Sequence, residues 1–219
     1  MKDAFILAVT QFNPAIADLK TNRDRILADA DEARKQGAKI LVTGELALSG
    51  YMLRDAVFEV ALRPEDSFLD PFRSLSREMT VIVGMAEVTS DHFYYNSALV
   101  FEDGEVIHRH RKVYLPNYGM FEEKRFFAEG DRIHAFDSRL GRLGVLVCND
   151  MWHPMTTQLL GWDGAEMILA ATASPTRGVS RDDVSDNTRV WRTFNRSAAK
   201  AVSAYVVQAN LVGFQESIH

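Results

Sequence analysis

The sequence predicts one α/β domain in which some strands are joined by helices and others by a hairpin. Three observations carry that expectation. Short apolar runs of strand length recur along the 219 residues. The first two are separated by a helical pattern, which implies parallel pairing through a right-handed crossover. Farther on, two β-rich runs flank Glu102-Asp103-Gly104, a hairpin signal.

The elements follow in order. Phe5 to Thr10 reads as a first buried strand, closed by the turn residues Asn13-Pro14. Asp18 is placed to cap a helix that carries Leu19, Ile26, Leu27, Ala30 and Ala33 at helical spacing, and Gly37 stops it. Ile40 to Thr43 is the second strand. Leu53 to Leu62 and Ser67 to Glu78 are expected helices separated by Pro64, and Thr80 to Ala86 is a third strand. Tyr94 to Phe101 and Val106 to Lys112 form the hairpin, followed by a Pro-, Gly- and aromatic-rich loop from Leu115 to Gly130. Leu143 to Val147 is the strand that delivers Cys148. Asn149-Asp150 supply turn chemistry, and Pro154 suits the first position of a helix. Met167 to Ala171 and Tyr205 to Ala209 are the last clear strands, and Thr188 to Val202 is a helix with Val190, Trp191, Phe194 and Ala198 on one face.

Composition bounds the function. An apolar content of 47% with 25% charged residues is that of an ordinary globular chain long enough for a sizeable core. The net charge of −5 favours neither nucleic acid nor an acidic membrane surface. The apolar run near the N-terminus, Ala4 to Val9, is too short to span a membrane. A lone cysteine forms no internal disulfide and fits a reducing, cytoplasmic compartment.

Three polar residues fall at or just past predicted strand ends: Glu45, Lys112 and Cys148. Strand ends are where open α/β sheets assemble sites. A thiol is mostly protonated at neutral pH, so an adjacent carboxylate base would help it attack, and a lysine would stabilise the oxyanion that forms. Taken one at a time, each has an ordinary structural reading: a solvated carboxylate, the last charge of the run HRHRK, a small buried hydrophobe. His108, His110 and His153 invite a zinc reading, but HxH on a hairpin is commonly a strand face, and no metal is expected. In HRHRK, adjacent residues face opposite sides of a strand, which argues against a nucleic-acid surface.

Three segments together resemble the nitrilase superfamily of carbon–nitrogen hydrolases. LVTGELALSGY is similar to the family's glutamate motif, HRKVYLPNYGMFEEKRFFAEGD to its lysine motif and following loop, and GVLVCNDMWHP to its cysteine motif. AVTQFNP and NRSAAKAVSAYVVQANLVG also resemble family segments, so the likeness spans nearly the whole chain. The resemblance implies an αββα sandwich of two mixed sheets between helical layers, residues 1–219 forming a single domain. It implies Glu45 as base, Lys112 as electrostatic partner, Cys148 as nucleophile, and Glu123 as a second active-site glutamate. Asn149, Tyr118 and Trp152 are the expected substrate-binding residues. The implied reaction is hydrolysis of a small amide, or of a nitrile, through a cysteine thioester with no cofactor. The implied assembly is a homodimer or higher oligomer.

The loops GYMLRD and LPNYGMFEEKRFF also resemble the glutaminase domains of NAD synthetases, which leaves open an ammonia supplier to a partner enzyme; a non-catalytic binding member is a further alternative. The sequence departs from the family twice. Asn149 stands where an aromatic or acidic residue often follows the cysteine. The chain also stops at His219, where family members continue into a hairpin, so the closing strands of the second sheet are expected to be absent from this sequence.

Overall fold

The computed structural model describes residues 4–175 and 186–215. The chain in order forms β1 (Ile6–Val9), α1 (Leu19–Lys35), β2 (Ala38–Val42), α2 (Val57–Val60), α3 (Asp70–Ser76), β3 (Thr80–Val88), β4 (Tyr94–Glu102) and β5 (Glu105–Arg111). There follow α4 (Glu123–Phe126), β6 (Phe136–Ser138), β7 (Gly141–Val147), α5 (Pro154–Trp162), β8 (Met167–Thr172), α6 (Asp186–Val202) and β9 (Tyr205–Asn210).

Local chemistry explains the regular elements. The Asp18 side chain accepts a hydrogen bond from the Thr21 N–H at the start of α1, and Gly37, at φ 84°, turns the chain after it. The β4–β5 turn places both Asp103 and Gly104 at positive φ, 52° and 89°, which matches the right-handed strand twist of a two-residue hairpin. Pro154 opens α5, where a missing N–H costs nothing.

The strands fall into two mixed sheets. β1, β2 and β3 pair in parallel, and β4 and β5 extend that sheet antiparallel. In the second sheet β6 pairs antiparallel with β7, and β7, β8 and β9 run parallel. Ile40, Val42, Ile82 and Val100 of the first sheet pack against Val145, Val147 and Leu169 of the second, closing a sandwich core. The outer face of the first sheet is covered by Ile26 and Ala30 of α1 and Phe72 of α3. That of the second is covered by Leu160 of α5 and Trp191 of α6. Each buried aliphatic or aromatic side chain contributes about 1.5–3 kcal/mol, so the four-layer α-β-β-α stack is held by its three apolar seams.

Two expected elements differ. The helix expected over Leu53 to Leu62 is shortened to a 3-10 turn at Arg54–Ala56 followed by α2. The chain must be extended at Leu62, whose N–H donates to the Ala86 carbonyl and whose carbonyl accepts from the Val88 N–H. The stretch from Ser67 likewise begins as a 3-10 turn, capped by Asp66, before α3. The β6 strand and the single turn of α4 have no periodicity of their own; both exist because a neighbour pairs or packs with them.

One glycine positions the site. At Gly84 on β3, a Cβ would lie 2.2 Å from the Gly44 carbonyl and 2.8 Å from the Leu46 N, so the loop that carries Glu45 can lie against the strand only without a side chain there. Gly84→Ala is expected to destabilise the fold by about 1–3 kcal/mol. Urea denaturation checks this.

Candidate active site

Glu45 follows β2 by three residues and is fully buried. Its N–H donates to the Thr172 carbonyl, and Thr43 beneath it accepts from the Gly84 N–H. Both carboxylate oxygens are held: Oε1 accepts from Lys112 Nζ at 2.6 Å and from Asn96 Nδ2 at 2.8 Å, and Oε2 accepts from the Ala173 N–H at 3.0 Å.

Lys112 leaves the end of β5 pointing into the sandwich. In HRHRK the period-2 alternation puts His108, His110 and Lys112 inside, while Arg109 and Arg111 pair with Glu87 on the other face. The Lys112 ammonium lies between Glu45 and Glu123 Oε1, the latter at 2.7 Å. Burial by itself would push this ammonium down, but the two carboxylates more than offset that and hold it above its usual range.

Glu123 begins α4, its N–H bonded to the Pro116 carbonyl. Tyr51 donates its hydroxyl to Glu123 Oε1, while Oε2 is buried with no hydrogen-bond partner among the described residues. Burial is the largest cause that pushes this carboxyl up to about 7; Lys112 opposes the rise and Glu45 reinforces it. Two carboxyls and one ammonium therefore share a dry cluster that can take or release a proton near neutrality.

Cys148 sits at the end of β7 with φ 44°, an uncommon left-handed conformation for a residue with a Cβ. A 3-10 turn, Cys148–Trp152, carries the chain from it to α5. Burial pushes its thiol well above the ordinary range; the Glu45 charge adds to this, and Lys112 opposes it. The chain thus holds a neutral thiol within the field of a carboxylate and an ammonium.

Asp150 is the positioning element that the sequence reading missed. Fully buried, it accepts from the N–H groups of Val113 (3.0 Å), Tyr114 (2.9 Å) and Val147 (3.2 Å), and contacts His110 Nε2 at 2.7 Å. One carboxylate thereby ties the exit of the lysine strand to the cysteine turn. Asn96 and Tyr51 were missed as well. A polar residue inside the apolar run YYNSALVF was a usable signal for Asn96; Tyr51 had none beyond its place beside Gly50.

The remaining expected residues face a cavity of about 200 Å³, lined by Cys148 together with Tyr118, Asn149 and Trp152. Asn149 donates through Nδ2 to the Tyr114 carbonyl. The three histidines that invited a metal reading occupy separate places: His110 is on Asp150, His108 stacks on Phe136 and His153 stacks on Tyr114.

Comparisons with known proteins were made on this basis. The family described as Carbon-nitrogen hydrolase matches residues 6–219. A Glutamine-dependent NAD(+) synthetase from Acinetobacter baylyi is 30% identical over 218 residues, 98% of this chain and 38% of that protein. The chain thus spans well under half the length of that relative. Among solved structures, an amidase from Nesterenkonia sp. AN1 superposes with a TM-score of 0.83 at 25% identity, covering 97% of this chain and 80% of the amidase. Saccharomyces cerevisiae Nit3, a member of branch 10 of the nitrilase superfamily, shares the fold with a TM-score of 0.82 at 24% identity, covering 96% and 78% of the two chains.

Asp150→Ala strands three N–H donors and is expected to cost on the order of 3–5 kcal/mol. The check is chemical denaturation of the variant beside the parent. A loss under about 1 kcal/mol would show that the four contacts do not hold the two segments together.

Proposed function

The chain belongs to the carbon–nitrogen hydrolase family, and on that premise we propose that it cleaves a small amide to a carboxylate and ammonia or an amine through a thioester on Cys148. The observation that carries the proposal is the buried Glu45–Lys112–Glu123 cluster set beside a high-pKa thiol. A neutral thiol is a poor nucleophile, so attack requires that its proton leave as the C–S bond forms; the charge of Glu45 acting on Cys148 supports Glu45 as the acceptor.

In this reading Sγ attacks the amide carbon while Glu45 accepts the thiol proton. Lys112 and the Asn149 N–H stabilise the oxyanion. Glu45 then returns the proton to the leaving nitrogen, the C–N bond breaks, and the acyl group remains on Cys148. Water attacks the thioester with its proton taken by Glu45, the carboxylate product leaves, and the thiol is restored. Glu123 keeps Lys112 charged and in place, and its own proton exchange near pH 7 lets the cluster adjust its charge between the two halves. Apart from the substrate and water, the groups in this scheme are the protein's own side chains and backbone. The Nesterenkonia amidase, which bears an acrylamide adduct at its active site cysteine, supports the nucleophile assignment.

The synthetase relatives favour a second reading, release of ammonia from glutamine for a partner or a further domain. Residues 1–219 are read as one hydrolase domain, in a cytoplasmic compartment that keeps the thiol reduced. Met155, Leu159 and Trp162 of α5 and Val190 of α6 expose apolar surface, which supports pairing of two copies through these helices.

Cys148→Ala is expected to abolish ammonia release while leaving the circular dichroism spectrum unchanged; turnover at the parent rate would overturn the assignment. Glu45→Gln separates two effects. Removing the negative charge lowers the thiol pKa, so the pH dependence of iodoacetamide alkylation of Cys148 moves to lower pH than in the parent. Turnover nevertheless falls by about 10²–10⁴ because the base is gone. A variant with faster alkylation and undiminished turnover would rule Glu45 out as the base. Trp162→Asp is expected to shift the protein from dimer to monomer in light scattering.

A further inference from the structure

Three residues of the turn that follows Cys148 close on a single residue of the lysine segment, Tyr114. Asp150 Oδ1 accepts from its N–H at 2.9 Å, and Asn149 Nδ2 donates to its carbonyl at 3.0 Å. The His153 ring stacks on its phenol ring, with centroids 3.6 Å apart and planes 12° from parallel. Tyr114 is thereby held at its N–H, its carbonyl and its ring. It lies just past Lys112, whose ammonium is fixed between Glu45 and Glu123. The cysteine turn is thus registered on the segment that carries the lysine.

Of the three contacts, the Asn149 bond lies nearest the nucleophile. Cys148 has φ 44°, a conformation on the order of 1–3 kcal/mol above the ordinary basins for a residue with a Cβ. The peptide that joins it to Asn149 therefore has locally easier orientations open to it, and a contact from outside must hold it. Asp150 holds the turn one residue later, through the N–H groups of Val147 and Tyr114. The Asn149 side chain holds it at the residue whose own N–H is the oxyanion donor in the reading above. Such a donor acts only within about 2.7–3.1 Å of where the oxygen will stand, so its aim matters.

The residue type fits that duty. An amide presents an N–H to a carbonyl oxygen, whereas an aspartate of the same size presents only acceptors and would repel it. Asn149 also lines the cavity in front of Cys148, where the sequence expects it to bind substrate. Its Nδ2 is nevertheless turned to the backbone of another segment. A tether of that kind restrains position in the free protein, before any substrate arrives.

We propose that the side chain of Asn149 positions the oxyanion hole: bonded to the Tyr114 carbonyl, it aims the Asn149 N–H at the carbonyl oxygen of the substrate and acts on kcat, not on substrate affinity. This rests on the amide-hydrolase reading, with Cys148 as nucleophile, and deepens it.

The test uses the full chain with acetamide, propionamide and L-glutamine as probes. For those that the parent hydrolyses, Asn149→Ala is expected to lower kcat by about 10–100-fold with KM within about threefold. Propionaldehyde supplies a second readout: Cys148 Sγ adds to its carbonyl carbon, and the thiol proton passes to the oxygen, which then occupies the oxyanion position. Its inhibition constant is expected to rise by about the factor by which kcat falls. Iodoacetamide is the control. Sγ displaces iodide from a saturated carbon, no oxyanion forms, and alkylation stays within about threefold of the parent. Asn149→Leu, close to asparagine in volume, repeats the measurements should the alanine variant fail to fold. An unchanged kcat, with or without a raised KM, would overturn the proposal. Alkylation slowed as much as turnover would overturn it too, since the loss would then be one of general order around the thiol. Either result leaves the hydrolase reading standing. Absence of both ammonia release and acylation of Cys148 in the parent with all three probes would remove that reading, and the proposal with it.

Discussion

The structure depends most on one buried cation. Lys112 is 1% exposed and sits between two carboxyls that are themselves out of water. Taking an ammonium from water into such a place costs several kcal/mol, and only close, well-aligned counter-charges repay it. The arrangement is also fragile in one direction. Without Lys112 the two glutamates would face each other buried and without a counter-charge, and the strand end, the β2 loop and the α4 turn that carry the three groups would lose their common anchor.

The architecture is what makes that anchor possible. Parallel pairing of β2 with β3 and of β7 with β8 sends the ends of strands from both sheets toward one edge of the sandwich. Glu45 follows β2, Lys112 follows β5 and Cys148 follows β7, so three segments distant in the chain deliver their side chains to one place. Short-range devices then fix the positions: a glycine at Gly84 that lets the Glu45 loop close on β3, and the Asp150 carboxylate that binds the lysine segment to the cysteine turn. Both act on where the reacting groups stand.

Charge is distributed unevenly across the site, and this has a chemical use. The machinery below Cys148 is ionic and buried, while the described residues that line the cavity in front of it include Tyr118, Phe121 and Trp152. An ionic cluster near the carbonyl strengthens interactions with the oxyanion, which is where charge develops. The NAD(+) synthetase relatives share the fold and extend well beyond this chain's span, so the likeness to them is informative about the catalytic layer more than about what enters the cavity.

The sequence by itself determined the local elements and the division of faces. Apolar period and capping residues place α1, the β2 and β3 strands, the β4–β5 hairpin and the Cys148 junction close to where they stand, because those signals act over a few residues. The alternation in HRHRK already required Lys112 to point opposite to Arg111. Tertiary structure decided the rest. The 67-residue separation of Glu45 and Lys112 has no local signature, and the resemblance to a family, not periodicity, carried that pairing and the second sheet. Asn96, Tyr51 and Asp150 gain their partners only when strands from different parts of the chain meet, and the Leu53 to Leu62 helix is cut short because Leu62 must pair beside β3. The physical reason is the same in each case: burial converts an ordinary polar side chain into one that must find a partner, and which groups become buried together is settled by long-range packing.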